Sequence, residues 1–276
     1  MDKYERIRNK FKEYKLSTVS DLDTVLHNFR ILFAYNSGKI ENEQIDYHDT
    51  REIFENGKVL SYSGDPRVLF EQQNQKLCYD FLREKIVSKE PISLELIKEV
   101  HAVLTAGTYD ETRYIARGER PGEFKKYDYV TGIHEIGYSP EDVEPALSDL
   151  TAEINAYDGE MKLKAAAYFH LRFEYIHPFA DGNGRAGRTL TNYYLLINGE
   201  VPHIIFSEDK KEYYKALEAY DKNEEIDPLY KFLKSQTVKT WENYFERRTP
   251  NRTKDGKSPA KLSGAKLFKA MRTRSR

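Results

Sequence analysis

The chain has 276 residues, enough for one large domain or two small ones with a sizeable core. Hydrophobic residues make up 39% and charged residues 32%, which is typical of a globular chain and excludes a membrane or wholly disordered protein. The formal net charge is −1, so no field of the whole chain draws it to nucleic acid or lipid. The single cysteine, Cys78, excludes an internal disulfide and a cysteine-based zinc site.

The beginning of the chain alternates charged residues and lacks the apolar segment of a secretory signal. No stretch approaches the ~18 consecutive apolar residues that a membrane-spanning helix needs. These features predict a cytoplasmic protein without a membrane partner.

The coarse pattern is mainly helical. Residues 1–15 are expected to be a charged lead-in without a helix of their own. A first helix is predicted from Ser20, because apolar residues then recur at spacings of three and four: Leu22, Val25, Leu26, Phe29, Leu32 and Phe33. A separate short helix is predicted from Asn36 to Ile45, a longer one over residues 68–87, and another from Pro91 to a stop near Gly107.

Residues 113–139 mix four glycines and one proline with aromatic and β-branched residues, which predicts a β-hairpin. Its predicted strand residues are Phe124, Tyr127, Tyr129 and Val130. A new helix is predicted to begin at Ser139-Pro140, since proline is favoured at the first helical position. Further helices are predicted at about 160–175, 185–197, 208–220 and 227–245.

Composition divides the chain into three predicted parts: an N-terminal helical region at 1–90, a main domain at 91–246 and a basic tail at 247–276. The tail carries eleven Lys and Arg residues and one acidic residue, Asp255. It has few large apolar residues, so we expect it to be disordered. Nucleic acid is a predicted partner only through this tail.

The segment from His177 to Arg188 joins two helical patterns through a glycine-rich loop. Gly182 and Gly184 bracket Asn183, which lets successive backbone N–H groups turn toward one point. Together with the positive end of the next helix, this arrangement predicts an anion-binding cradle. Arg185 and Arg188 lie three residues apart, on one face of the first helical turn, where they can hold further phosphate oxygens.

Two more side chains complete this chemistry. Asp181 offers a hard carboxylate oxygen, the ligand type that Mg²⁺ prefers beside phosphates. His177 lies four residues earlier and can act as a general base near neutral pH. A base, a metal ligand, a cradle and two arginines within twelve residues predict the attack of a hydroxyl on a phosphate ester.

Residues 177–188 resemble the Fic-domain signature His-x-Phe-x-Asp/Glu-Gly-Asn-Gly-Arg-x-x-Arg at every fixed position. The resemblance covers roughly residues 95–235 and implies a mainly α-helical Fic core with a β-hairpin flap over the active site. It also implies transfer of AMP from ATP to a hydroxyl side chain of a target protein. Family members that phosphorylate carry Lys at the position of Gly184, so the glycine favours AMP transfer.

The resemblance also assigns roles. His177 would deprotonate a Ser, Thr or Tyr of the target, and Asp181 would hold Mg²⁺. The residues expected to bind ATP are Gly182, Asn183, Gly184, Arg185, Arg188, Tyr213 and Tyr214. The two tyrosines match a helix that contacts adenine, although Asp221 stands where the family often has Asn. Residues 120–132 would form the flap, in which Tyr129, Val130 and Thr131 pair with a target segment by strand addition.

The segment from Ser37 to Asn42 resembles the inhibitory motif Ser/Thr-x-x-x-Glu-Gly/Asn of autoinhibited Fic proteins. Ser37 and Glu41 lie four residues apart and therefore on one helical face. The resemblance implies that Glu41 pairs with Arg188 and takes the place of the γ-phosphate. Its N-terminal position implies inhibition within one chain.

The sequence therefore predicts a protein adenylyltransferase that uses ATP and Mg²⁺ and is inhibited by Glu41. Its expected partners are ATP and an unidentified target protein, with a homodimer left open. Two alternatives stand beside this function. One is a Fic enzyme that mainly removes AMP, with Glu41 orienting water. The other is a non-catalytic binding module that its basic tail delivers to nucleic acid.

Overall fold

The computed structural model describes residues 2–59, 62–129 and 137–248. Within these ranges the chain is mainly helical, as the sequence predicts, with a π-helical turn at Thr112–Ala116 and a 3₁₀ turn at Ser207–Asp209. The α-helices of these ranges are, in chain order, α1 (Lys3–Lys12), α2 (Val19–Val25), α3 (His27–Glu41), α4 (Tyr47–Asn56), α5 (Pro66–Ser88), α6 (Leu94–Thr105), α7 (Pro140–Ala156), α8 (Lys162–Ile176), α9 (Asn183–Ile197), α10 (Lys210–Asn223) and α11 (Asp227–Arg248).

Helices α8 and α9 form the centre of the core and pack against each other. Phe169, Phe173 and Leu190 are fully buried between them. Helices α10 and α11 cover α8, while α3, α5 and α6 cover α9. Both helices pack against neighbours on several sides, and this packing fixes the two ends of the loop that joins them.

Helix α1 contradicts the predicted lead-in at residues 1–15. Asp2 caps it by accepting a hydrogen bond from the Glu5 N–H at 2.9 Å, and Tyr4, Ile7 and Phe11 are buried. The Phe11 ring meets Trp241 of α11 edge-on, with ring centroids 5.2 Å apart. The apolar stripe of α1 is thin, so its stability depends on a partner more than 200 residues away in sequence.

The single helix predicted from Ser20 is two helices, because the chain breaks at Leu26. The separate helix predicted over Asn36–Ile45 is wrong as well: residues 36–41 form the end of α3, and residues 42–45 lie beyond it. Helix α4 was not predicted. It begins after the capping side chain of Asp46 and ends at Gly57, whose φ of +73° suits a glycine stop.

The predicted β-hairpin is not found in the described part of its segment: residues 117–129 form turns and bends without a strand. The Glu119 side chain is buried in this segment. Its Oε1 accepts hydrogen bonds from the Lys126 N–H at 3.0 Å and the Tyr129 hydroxyl at 3.1 Å. Val130 and Thr131 lie outside the described residues.

The later helices agree with prediction: α7 begins at Pro140, and α8 to α11 fall where the apolar periodicity places them. Helix α11 runs to Arg248, two residues into the predicted basic tail. The rest of that tail lies outside the described residues. Across the part of the chain that the structure describes, no helix combines the length and apolar character that crossing a membrane requires.

Candidate active site

His177 follows directly after α8 and adopts a left-handed backbone with φ of +52°. Its N–H donates a hydrogen bond to the Phe173 carbonyl at 3.1 Å, which ends the helix. Left-handed conformations are unfavourable for residues other than glycine and concentrate at functional positions. The turn directs the chain sharply away from α8 and starts the loop to α9.

Asn183 closes this loop with its side chain. Its Oδ1 accepts a hydrogen bond from the Phe179 N–H at 2.9 Å, and its Nδ2 donates to the Phe179 carbonyl at 2.8 Å. Gly182 has φ of +81°, and a Cβ there would come within 2.5 Å of the Thr105 side chain. The side chain of Asn183 therefore holds the loop together, and only its backbone remains available to a ligand.

His101 of α6 supports the loop from the other side. Its ring stacks on Phe179 with centroids 3.6 Å apart, and the Gly122 N–H donates to its Nδ1 at 2.9 Å. Nε2 therefore carries the proton and donates to the Asp181 carbonyl at 2.8 Å. Burial lowers the pKa of His101 to about 3, so the ring stays neutral. No local motif in the sequence marks this histidine.

The start of α9 offers donors without acceptors. Gly182 occupies the capping position and provides no side-chain hydrogen bond to the first turn. Arg185 is only 2% exposed, and its Nε and Nη1 have no hydrogen-bond partner among the described residues. Buried donors at an uncapped helix N-terminus can hold an anion. Binding of a phosphate by this loop stays a prediction.

Asp181 lies beside the cradle and faces three arginines. Arg67 of α5 donates to its Oδ2 at 2.8 Å, and the Arg185 Nη2 lies 3.7 Å from Oδ1. Burial alone would raise the pKa of Asp181, but Arg185, Arg67 and Arg113 lower it below its ordinary value, so the group is a carboxylate. The contact with Arg67 could not be seen in the sequence.

The donor set around Asp181 fits Mg²⁺ only together with a phosphate ligand. No cluster of three or more His, Cys, Asp or Glu side chains that could hold a metal ion occurs in the described ranges. Mg²⁺ commonly binds one or two carboxylates and completes its shell with water and phosphate oxygens. One carboxylate beside a phosphate cradle matches that pattern.

Ser37 and Glu41, both on α3, contact Arg188. The Arg188 Nε donates to the Ser37 Oγ at 3.0 Å, and Nη2 is shared between the Ser37 carbonyl at 2.9 Å and the Glu41 Oε1 at 2.7 Å. Glu41 thus uses one oxygen and one guanidinium nitrogen, not a bidentate pair. Burial opposes the charge on Arg188, but Glu41 and its other neighbours raise its pKa further above the ordinary value.

The position of Glu41 also places it against the cradle. A Cβ on Gly184 would lie 2.5 Å from the Glu41 Oε1, so the carboxylate sits directly on the first turn of α9. A glycine is needed at this position for so close an approach. Four residues predicted from the sequence therefore lie together at the start of α9: Ser37, Glu41, Gly184 and Arg188.

Asn42 joins the same region through Glu71, a buried carboxylate of α5. The Asn42 Nδ2 lies 3.4 Å from the Glu71 Oε2. The Glu71 Oε1 accepts from the Arg67 Nε at 3.0 Å and lies 3.5 Å from the Arg185 Nη1. One carboxylate thus connects the end of α3, the cradle and the arginine on Asp181. Sequence reasoning missed Glu71, since no local motif marks it.

The two tyrosines of α10 occupy different surroundings. Tyr213 is 1% exposed, and its hydroxyl donates to the Nε2 of His170 at 2.6 Å, while Tyr214 is 42% exposed. His170 is buried and has partners on both ring nitrogens, Tyr213 and Thr191. Contact of Tyr213 and Tyr214 with adenine stays a prediction.

Residues 91–195 match the model of the Fic/DOC family, the family whose signature the loop between α8 and α9 resembles. The match includes the whole loop and the helices α6 to α8.

Relatives of this chain extend the similarity beyond the domain. "Protein adenylyltransferase Fic" of Aedes aegypti is 27% identical over 260 residues, which is 88% of this chain and 47% of that protein. "Protein adenylyltransferase fic-1" of Caenorhabditis briggsae is 28% identical over 76% of this chain and 40% of that protein. The chain therefore spans less than half the length of these curated relatives.

A Fic domain containing signaling protein from Bacteroides thetaiotaomicron shares the fold. Its solved structure has a TM-score of 0.74 and 24% sequence identity, and the match covers 86% of this chain and 93% of that one. At this identity the likeness extends to the fold alone.

Proposed function

We propose that this chain is a protein adenylyltransferase that moves AMP from ATP to the hydroxyl of a Ser, Thr or Tyr in a target protein. The observation that carries the proposal is the anion cradle beside His177. Buried donors of Arg185 without a hydrogen-bond partner in the described ranges meet the uncapped start of α9 there. A polyphosphate is the ligand that such a concentration of donors suits best.

The proposed reaction begins with the target hydroxyl. His177 takes its proton, and the oxygen attacks the α-phosphorus of ATP. The bond between that phosphorus and the oxygen bridging to the β-phosphate breaks, and pyrophosphate leaves with that bond's electron pair. Burial first and the neighbouring Lys125 second lower the pKa of His177 to about 4, so the ring is neutral and can accept a proton near pH 7.

The cradle positions ATP in this proposal. The backbone of residues 182–184 would hold the α- and β-phosphates, while Arg185 and Arg188 would hold the β- and γ-phosphates. Asp181 would hold Mg²⁺, which when bound neutralises phosphate charge and so supports departure of pyrophosphate. Tyr213 and Tyr214 would border the adenine.

We also propose that residues 120–132 cover the site as a flap that positions the target through Tyr129, Val130 and Thr131. Lys125 supports this place for the flap, because its N–H donates to the Pro178 carbonyl at 2.9 Å, next to His177. The target segment would then reach His177 along the flap.

Autoinhibition is the remaining part of the proposal. Glu41 and Ser37 occupy three hydrogen bonds of Arg188, which in the active state would serve the γ-phosphate. The carboxylate of Glu41 also lies on Gly184, inside the cradle. ATP would then bind with its γ-phosphate misplaced, or would have to displace the end of α3.

The experiment compares ATP radiolabelled at the α-phosphate with ATP radiolabelled at the γ-phosphate. Purified Glu41→Gly chain is incubated with cell lysate, and labelled proteins are identified by mass spectrometry as AMP adducts. We expect protein labelling from the α position only, with Glu41→Gly/His177→Ala as the inactive control. Labelling from the γ position, or no labelling by Glu41→Gly, would contradict AMP transfer.

Removal of AMP is a second candidate, which the position of Glu41 in the cradle favours. Proteins modified by the Glu41→Gly chain are repurified and given to the wild-type chain. Release of AMP by wild type, and none by Glu41→Gly, would identify removal as the activity of the unaltered chain.

A further inference from the structure

Lys125 is a buried lysine beside the proposed base. Lys125 is only 2% exposed and lies in the middle of the segment 117–129. Lysines are seldom this buried unless their charge is paired, because removing an ammonium from water is costly. Burial lowers the pKa of Lys125 below its ordinary value, with Asp128 acting in the opposite direction.

The backbone around Lys125 fixes its place next to His177. The Lys125 N–H donates to the Pro178 carbonyl at 2.9 Å, and the Tyr138 N–H donates to the Ile176 carbonyl at 3.1 Å. These two bonds attach the segment on either side of His177. The lysine is thus held by the same stretch of chain that carries the histidine.

Gly137 separates the two side chains. It has φ of +69°, and a Cβ there would lie 2.9 Å from the His177 Cβ and 3.3 Å from the Lys125 Nζ. The ammonium and the histidine therefore both approach one small point. A residue with a side chain at position 137 would push them apart.

We propose that Lys125 is a positioning residue for His177, extending toward acid the pH range over which the imidazole is neutral and can accept the proton of a target hydroxyl. Two positive charges repel strongly when they are partly withdrawn from water. The ammonium of Lys125 therefore opposes protonation of the imidazole. The inference deepens the proposed function, since it assigns the residue that maintains the proposed base.

The other groups around His177 act in the opposite direction. Burial and Lys125 lower its pKa, while a hydrogen bond to the backbone of Glu174 and the charges of Asp181 and Glu41 raise it. Lys125 is thus the cation set against two carboxylates. Removing the charge of Lys125 therefore raises the pKa of His177.

The test is a proton NMR titration of His177 in the full chain, with its imidazole signal assigned by its loss in His177→Gln. Two neutral variants, Lys125→Met and Lys125→Gln, are expected to raise the pKa of His177 by about one unit. Lys125→Arg keeps the charge and is expected to leave that pKa near its wild-type value. Lys126→Met removes an exposed neighbouring charge and is the matched control.

Two outcomes would overturn the role of Lys125. One is an unchanged His177 pKa in a neutral Lys125 variant whose buried histidines, His101, His170 and His203, keep their wild-type signals. The other requires no variant: a His177 pKa at or above 6.5 in the wild-type chain. The titration needs no turnover, so its result is independent of whether Glu41→Gly transfers AMP.

A kinetic readout follows in the Glu41→Gly background. Lys125→Met is expected to shift the acidic limb of the pH profile of kcat/KM upward by the same amount, and Lys125→Arg is expected to restore it. A uniform loss of activity at all pH values would assign Lys125 a structural role only and contradict the proposal.

Discussion

Arg67 donates a hydrogen bond to the Asp181 Oδ2 at 2.8 Å, so the carboxylate predicted to bind a metal ion already holds a cationic partner. The arginine comes from α5, more than 100 residues before the motif loop. A divalent cation that uses the same oxygen must displace the guanidinium. A metal ion at this site is therefore expected to compete with Arg67 for the Asp181 carboxylate.

The first prediction concerns this competition. Replacing Arg67 by Met in the Glu41→Gly background should lower the Mg²⁺ concentration for half-maximal AMP transfer about two- to tenfold, the value of a partly exposed charged hydrogen bond. Arg83→Met is the matched control, because Arg83 lies on the same helix, is equally exposed and pairs with Asp23. An unchanged Mg²⁺ requirement in Arg67→Met would contradict the competition.

The second prediction concerns the carboxylate itself. Asp181→Ala should weaken Mg²⁺-dependent transfer and recover part of it at high Mg²⁺, since phosphate oxygens and water still bind the ion. The measurement is the rate of AMP transfer by Glu41→Gly/Asp181→Ala over a range of Mg²⁺ concentrations. Normal transfer at low millimolar Mg²⁺ would show that Asp181 does not hold the metal.

The third prediction concerns the base. His177→Ala in the Glu41→Gly background should slow AMP transfer by ~10²–10⁴-fold, the usual contribution of a general base. ATP binding, measured by calorimetry, should stay within a few-fold because the cradle is untouched. The exposed His48 of α4 provides the control variant His48→Ala. Transfer by His177→Ala within a few-fold of its parent would rule out the assignment.

The fourth prediction concerns inhibition. Glu41→Gly should raise auto-modification by roughly ten- to a hundredfold at saturating Mg-ATP, as expected when a charge pair of ~1–3 kcal/mol no longer occupies Arg188. Ser37→Ala should activate less, because the Ser37 carbonyl keeps its hydrogen bond to Arg188. Arg188→Ala should not activate, since it also removes the phosphate ligand.

Glu43→Gly is the control for this measurement, because Glu43 lies two residues beyond Glu41 and is exposed. Equal rates of auto-modification in wild type and Glu41→Gly would mean that the contact with Arg188 does not limit activity.

The fifth prediction concerns Glu174, whose Oε1 is buried without a hydrogen-bond partner in the described ranges. Burial raises its pKa from 4.5 to about 8, with the charge of Arg188 opposing. Between pH 4.5 and about pH 8, Glu174 keeps its proton in the folded chain but has lost it in the unfolded chain. The free energy of unfolding should therefore fall as pH rises through this window.

Glu174→Gln removes this dependence. Relative to wild type, its free energy of unfolding should increase by on the order of 2–3 kcal/mol between pH 5 and pH 8. Urea denaturation at the two pH values measures the difference, with the exposed Glu160→Gln as control. The same pH dependence in Glu174→Gln and wild type would contradict a buried neutral carboxyl.

The arrangement of the loop can be predicted from the sequence because its residues are neighbours in the chain. His177, Asp181 and Arg188 fall within one turn–helix segment, where spacing alone fixes their relative positions. The supporting residues Arg67, Glu71 and His101 come from α5 and α6. Their places depend on how whole helices pack, and no local pattern carries that information.

Errors in the predicted elements have the same origin. Helix α1 has only three buried residues, Tyr4, Ile7 and Phe11, and contact with α11 stabilises it. Here a long-range contact decides what the local pattern leaves open.

Gly38 separates a well-anchored first part of α3 from a less stable last turn. In the first part, Phe29 stacks on Trp241 with ring centroids 5.8 Å apart, which anchors the helix in the core. Gly38 allows α5 to approach so closely that a Cβ would meet the Gln72 Nε2, yet glycine weakens a helix interior by about 1 kcal/mol relative to alanine. The turn that carries Glu41 follows directly, and its last backbone bond joins the Asn42 N–H to the Gly38 carbonyl at 2.9 Å. Withdrawing the Glu41 carboxylate from Arg188 therefore requires only the fraying of one terminal turn, a submicrosecond motion, while Ser37 keeps its two hydrogen bonds to Arg188 and the rest of α3 stays folded.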